Sequence, residues 1–186
     1  GKTYTCQAGK NNYIWSVPPQ ANVTAGGNAA DDFVTVTWNT VGNFNLTVNY
    51  TEPVTLCTAV SPASFSVTVN PLPVPVIDGP DAVCNGIAGK TYTCQSGKNN
   101  YIWTIPPQAL LTGGGTGTDD FVTVTWNAVG TFNLSVNYSE PATTCTAVLP
   151  TQFAVTVNPL PVPSISGPIS VCPGIPGKTY TSQAGK

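Results

Sequence analysis

Six cysteines and two adjacent acidic pairs are the residues of this chain best suited to chemistry. Each full repeat carries three cysteine positions: Cys84, Cys94 and Cys145, with Cys172 echoing the first and Cys6 and Cys57 echoing the other two. They lack metal-ligand spacing and sit in a Thr- and Asn-rich chain, which points to disulfides in an oxidising compartment. Three is odd, so one thiol per repeat is free or bonds outside its own module. In a two-sheet sandwich the end of the second strand and the loop before the last strand lie at one pole. This makes Cys94–Cys145 and Cys6–Cys57 candidate pairs and leaves Cys84 and Cys172 for inter-module or inter-subunit bonds. Ser182 occupies the Cys94 position in a third copy, so that cysteine is dispensable there.

Catalytic chemistry has little to stand on. The chain has no His, which removes Ser-His-Asp, Cys-His and His-metal sites together. Asp31–Asp32 and Asp119–Asp120 are the only acidic clusters, and adjacent strand residues point to opposite faces. A turn at a strand start is their plain reading, and a Ca²⁺ site shared with a neighbouring loop the sharper one. Gly113–Gly115 reads as a flexible turn, since it precedes no helix and lacks the Lys of a phosphate loop. Lys90, with Asn and Glu in the same module, invites an isopeptide bond, but a lysine at a strand edge is normally solvated. No catalytic, cofactor-binding or metal-binding residue is therefore assigned, and a non-enzymatic chain without a cofactor is expected.

The bulk composition agrees with that expectation. Charged residues make up 8% of the 186, with six Lys, no Arg and a net charge of −2. No basic patch exists for nucleic acid or an anionic membrane surface. No apolar run reaches the ~18 residues of a membrane span, so no membrane insertion is expected. Five N-x-[ST] sequons, at Asn22, Asn45, Asn49, Asn133 and Asn137, matter only where N-glycans are made. The chain opens at Gly1 without an initiator Met or signal peptide, as a processed product or a segment of something larger would.

The elements that must position these residues come in copies. GKTYTCQAGKNNYIW starts at Gly1, GKTYTCQSGKNNYIW at Gly89 and GKTYTSQAGK at Gly177, an 88-residue period. Residues 1–88 and 89–176 are identical at about 70% of positions, which makes this a tandem array of folding beads. The natural boundary is NPLPVP (Asn70–Pro75 and Asn158–Pro163), where alternate prolines favour stiff polyproline II. Residues 1–70 then form a module lacking its first strand, 71–158 a complete module, and 159–186 the opening strands of a third.

Within 71–158 the apolar residues alternate with period two, as half-buried strands do. Strands are expected at Val74–Gly79, Lys90–Gln95, Tyr101–Ile105, Phe121–Asn127, Thr131–Tyr138 and Phe153–Asn158, with a short one near Leu110–Thr112. Tyr101, Trp103 and Ile105 should share one face; Val122, Val124 and Trp126 should point inward, as should Phe132, Leu134, Val136 and Tyr138, and Phe153, Val155 and Val157. The two Trp of each module fall in phase with inward Val and read as core rather than as carbohydrate-stacking platforms. Six or seven short strands in 88 residues describe an all-β fold of tandem antiparallel β-sandwich modules with Pro-rich linkers.

GPDAVCNG, YIWTIP, FVTVTW, the late CTA and the closing VTVNPLPVP resemble the PKD-like, Ig-like tandem repeats of large secreted surface proteins of Bacteroidota, of adhesin or filament type. The resemblance covers essentially the whole chain and implies an extracellular, cell-surface scaffold or adhesin. It also implies Cys84–Cys145 as a pairing, so connectivity stays open. The acidic WDFGDG-type signature of other PKD domains is absent, and nothing tied to it carries over.

The expectation is a structural repeat segment of an extracellular filament or surface stalk, self-associating through its modules. Its partners would be copies of itself, with host-surface or matrix ligands as a further class. Either the array is covalently continuous, or residues 160–176 of one chain supply the strand missing from residues 1–70 of the next, with Val162, Ile165 and Val171 as donor residues. GKTYTSQAGK duplicates GKTYTCQAGK, which weighs against the second arrangement. The alternative is an adhesin or carbohydrate-binding module. Its most variable loop, Ala21–Ala30 against Ala109–Thr118, holds only small or aliphatic residues unsuited to glycans.

Overall fold

The structure is a computed structural model describing residues 1–183, and it is built from strands throughout. Two compact units appear, Gly1–Leu72 and a second beginning at Pro73. The first holds β1 (Lys2–Thr5), β2 (Asn11–Ser16), β3 (Ala21–Gly26), β4 (Phe33–Trp38), β5 (Gly42–Thr51) and β6 (Ala63–Val69). They form two three-stranded antiparallel sheets, β1-β4-β3 and β2-β5-β6.

The second unit repeats this with β8 (Lys90–Thr93), β9 (Asn99–Thr104), β10 (Ala109–Gly114), β11 (Phe121–Trp126), β12 (Gly130–Ser139) and β13 (Thr151–Asn158). It adds β7 (Ala82–Cys84) as an edge strand, so the sheets are β10-β11-β8 and β7-β13-β12-β9. A hairpin of β14 (Ile165–Ser166) and β15 (Thr181–Ser182) follows. This is the expected all-β sandwich architecture.

Alternation along the strands makes the core. Val122, Val124, Trp126, Val136 and Val155 are fully buried, with Leu134, Val157, Tyr92, Tyr101 and Tyr138 beside them. Thr91 and Thr123 lie cross-strand on the outer face, their hydroxyls 3.0 Å apart. A one-residue register slip would exchange these two sets, so the pattern pins the pairing.

Two expectations are corrected here. Val74–Gly79 is not a strand: only Asp78 pairs there, with Thr93, and the ladder resumes at β7, which runs parallel to β13. Pro73, Pro75 and Pro80 withhold the N–H groups a continuous ladder needs. Gly113–Gly115 is not a free turn, since Gly113 and Gly114 close β10 beyond a bulge at Leu111/Gly113. Lys90 has no ion pair among the described residues. The lysine that meets a glutamate is Lys98, 2.7 Å from Glu140, with Lys10–Glu52 as its counterpart.

Candidate functional site

The segment entering the second unit shows what the sandwich needs along its open edge. Pro75, Ile77 and Val83 are buried, while Val74, Val76, Asp78, Asp81 and Ala82 face out. Asp78 exchanges both backbone bonds with Thr93 at 2.9 Å, and Thr156 N–H donates to Asp81 C=O at 2.7 Å. One segment therefore closes an edge of each sheet, crossing from β8 to β13.

Where prolines interrupt that segment, side chains take over the pairing. The Gln95 amide nitrogen donates to Val74 C=O, and its oxygen accepts from Val76 N–H, both at 3.0 Å. A side-chain amide here imitates a neighbouring peptide group. The Thr151 hydroxyl donates to Pro75 C=O at 2.6 Å, and the Tyr138 hydroxyl reaches Val74 C=O at 3.5 Å. At Gly79 a β-carbon would come 2.5 Å from the Tyr92 ring, so only glycine lets the segment lie on it.

The first unit has no such segment among the described residues, and a cleft of about 770 Å³ runs between its sheets. Tyr4, Trp15, Leu46, Val48, Tyr50 and Phe65 line it. Identical residues therefore differ in burial. Phe65 is 60% exposed while its counterpart Phe153 packs on the core, and Tyr4, Trp38 and Val48 are half-buried where Tyr92, Trp126 and Val136 are fully buried. Without the strand, the Tyr50 hydroxyl donates to the Gln7 side-chain oxygen. The two groups that hold Val74 in the second unit satisfy each other in the first.

All six cysteines are free in the structure, and none of the expected disulfides is formed. Cys84 lies opposite Asn158 at one end of the β12–β13 ladder. Cys145 bonds through its carbonyl to Glu140 N–H at the other. Nine residues of β12 separate these ends, about 30 Å, so Cys84–Cys145 is excluded within a module. Cys94 and Cys145 do share a pole, but the Cys94 thiol donates to Gln95 Oε1 at 3.0 Å and the Cys145 thiol faces Thr143 C=O. Burial pushes the Cys94 thiol pKa up, so it is a core group rather than a reactive one. Cys57, Cys84 and Cys172 are exposed.

The acidic pairs serve their own loops. The Asp119 carboxylate accepts from Thr116 N–H at 2.9 Å and from the Thr116 hydroxyl at 2.5 Å, which holds its pKa below the usual carboxylate value. Asp120 contributes its backbone carbonyl to Cys94 N–H. Among the described residues no cluster of three or more His, Cys, Asp or Glu could hold a metal.

Ile165 sits in β14 and is exposed, as are Val162 and Val171. Sequence reasoning missed Gln7 and Gln95. A glutamine directly after a strand-ending Cys in two copies, and again as Gln183 after Ser182, was the available signal.

No curated protein matches the chain. Solved structures similar to it include domains 4 and 5 of the S-layer protein SbsC, at 16% identity and TM-score 0.33, covering 78% of this chain and 74% of that one. The bacterial integrin-binding protein invasin aligns at 13% identity and TM-score 0.40, covering 86% of this chain and 33% of its own. The titin Ig tandem A164-A165 aligns at 10% identity and TM-score 0.30, covering 81% and 83%. Residues 70–155, a little under half of the chain, match the family model of the PKD-like domain, and the all-β sandwich formed there fits that match.

Proposed function

We propose that this chain is a structural repeat segment of an extracellular filament or surface stalk, without catalytic activity, self-associating through its β-sandwich modules. The observation that carries this reading is the 88-residue tandem repeat of a β-sandwich module in which one segment ahead of the other strands closes an edge of each sheet. A net charge of −2 opposes close association only weakly. Exposed Cys84 and Cys172 are available for bonds between subunits.

Electron microscopy with reducing and non-reducing mass analysis of material from its source tests this. Uniform filaments are expected. A ladder of chain masses under reductant marks discrete, disulfide-stapled subunits, and survival in reductant and denaturant marks one continuous array. Single chains that never form filaments would overturn the reading.

A further inference from the structure

We infer that the outer face of the β8–β11–β10 sheet is a contact between copies of this chain, packing through its threonines on the same face of a second copy. This rests on the self-association proposed above and names the surface that would carry it.

Six residues make up the face: Thr91 and Thr93 from β8, Phe121, Thr123 and Thr125 from β11, and Thr112 from β10. On β8 and β11 they alternate with Tyr92, Val122 and Val124, which are fully buried, so parity turns them outward. The register sets Thr123 opposite Thr91 and Phe121 opposite Thr93. The Thr91 and Thr123 hydroxyls lie 3.0 Å apart, and the Thr112 hydroxyl donates to the Thr123 carbonyl at 3.0 Å. No charged side chain stands among the six.

The two copies of the module set this face apart. All six residues are kept in the first unit, as Thr3, Thr5, Phe33, Thr35, Thr37 and Thr24. Change within the strands of this sheet is confined to β10, its edge strand, where Leu110 and Gly113 replace Asn22 and Ala25. The outer face of the other sheet drifts across all its long strands: Thr104, Thr131, Ser135, Gln152 and Ala154 stand where the first unit has Ser16, Asn43, Thr47, Ser64 and Ser66. Threonine suits any half-exposed strand, but propensity alone would let both faces drift alike. Something beyond solvation holds the threonine face constant.

Its chemistry fits a copy of itself. A hydroxyl both donates and accepts, so two identical threonine rows can satisfy one another, which two faces of lysines or of carboxylates cannot do. With no charge on the face, a second copy meets it without repulsion. The contact is isologous, the same patch on both partners. The three strands span about 14 by 20 Å, so one pair of faces buries roughly 600 Å². A stable interface needs about 1,200 Å² or more, so a single pair is weak. Repetition of the face every 88 residues lets linked pairs add up through effective concentration.

The test is sedimentation of the full chain, unaltered and with Thr35→Lys and Thr123→Lys, which put like charges on the proposed contact. Asn45→Lys and Asn133→Lys, at exposed positions on the other sheet, change the net charge equally and serve as the control. Concentration-dependent association of the unaltered chain is expected, weakened at least about tenfold by the threonine pair and less than about twofold by the asparagine pair. A chain with Thr35→Glu and Thr123→Glu, mixed with the lysine variant, should associate again because opposite charges then meet. Circular dichroism checks folding, and Thr5→Lys with Thr93→Lys, at more exposed positions, replaces any variant that fails to fold. A chain that stays monomeric at every concentration, association indifferent to the lysines, or no recovery on mixing overturns the inference. So does a monomer whose threonine face holds a polysaccharide that the lysine variant releases. Filaments that persist in the lysine variant would sink this inference alone; lysine-sensitive association without filaments would sink the filament reading alone.

Discussion

The Trp126 indole N–H donates to the Tyr92 hydroxyl at 3.1 Å, with both rings fully buried and edge to face. Tyr92 passes its own proton on to Pro80 C=O, also at 3.1 Å, which ties the crossing segment to the core. Trp38 and Tyr4 make the same bond at 3.0 Å in the first unit, half open and with no strand beyond.

Tyr92→Phe therefore leaves a buried indole N–H without a partner. A loss of about 1–3 kcal/mol is expected for the second unit. Tyr4→Phe should cost less, because the open cleft admits water to Trp38. Urea unfolding followed by Trp fluorescence checks both, and equal losses would show that burial does not govern the pair.

Val136 and Val48 are the same residue in the two copies, fully buried in one and lining the cleft in the other. An aspartate at Val136 strands a charge in the core and should prevent the second unit from folding at neutral pH. Val48→Asp should leave the first unit folded. Circular dichroism and proteolysis of each variant decide it.

Alkaline pH should weaken the second unit. Burial raises the pKa of the Cys94 thiol and of the Tyr92 hydroxyl. The unfolded chain releases these protons first, so the folded state binds more of them and stability falls as pH rises. The decline should begin near the ordinary thiol value of about 8.5 and steepen near about 10, where tyrosine ionises. Cys94→Ser, the residue already present at position 182, should remove the first part. A flat stability profile between these values would contradict the assignment.

Thiol labelling should separate the cysteines. Cys84, Cys57 and Cys172 are exposed and should react with iodoacetamide readily, whereas Cys94 should lag by at least about tenfold. Mass spectrometry of partially labelled protein gives the order directly.

Gly114 has φ +67° and its β-carbon would press on the Phe121 carbonyl and ring, whereas Gly97, at φ +70°, faces open space. Gly97→Ala should cost about 1 kcal/mol of backbone strain. Gly114→Ala should cost at least about 1–2 kcal/mol more, since backbone must shift as well. Thermal unfolding of the two variants gives the difference.

The alternation in FVTVTW and in the YIWTI strand was enough to place β11 and β9 and to choose their inward faces, because side-chain direction in a strand follows from residue parity alone. The 88-residue period was likewise plain, since repetition needs no knowledge of contacts. Local pattern could not say that Val74–Gly79 would be held by a glutamine side chain instead of a ladder. Nor could it say that Cys84 and Cys145 stand at opposite ends of β12. Both depend on which distant strands pair and in what register, and only packing of the whole sandwich sets that. The two copies make the division plain: Phe65 and Phe153 sit in nearly identical sequence, yet one is open and the other covered. Their strands pair alike in the two units, and the second has in addition a crossing segment over the core.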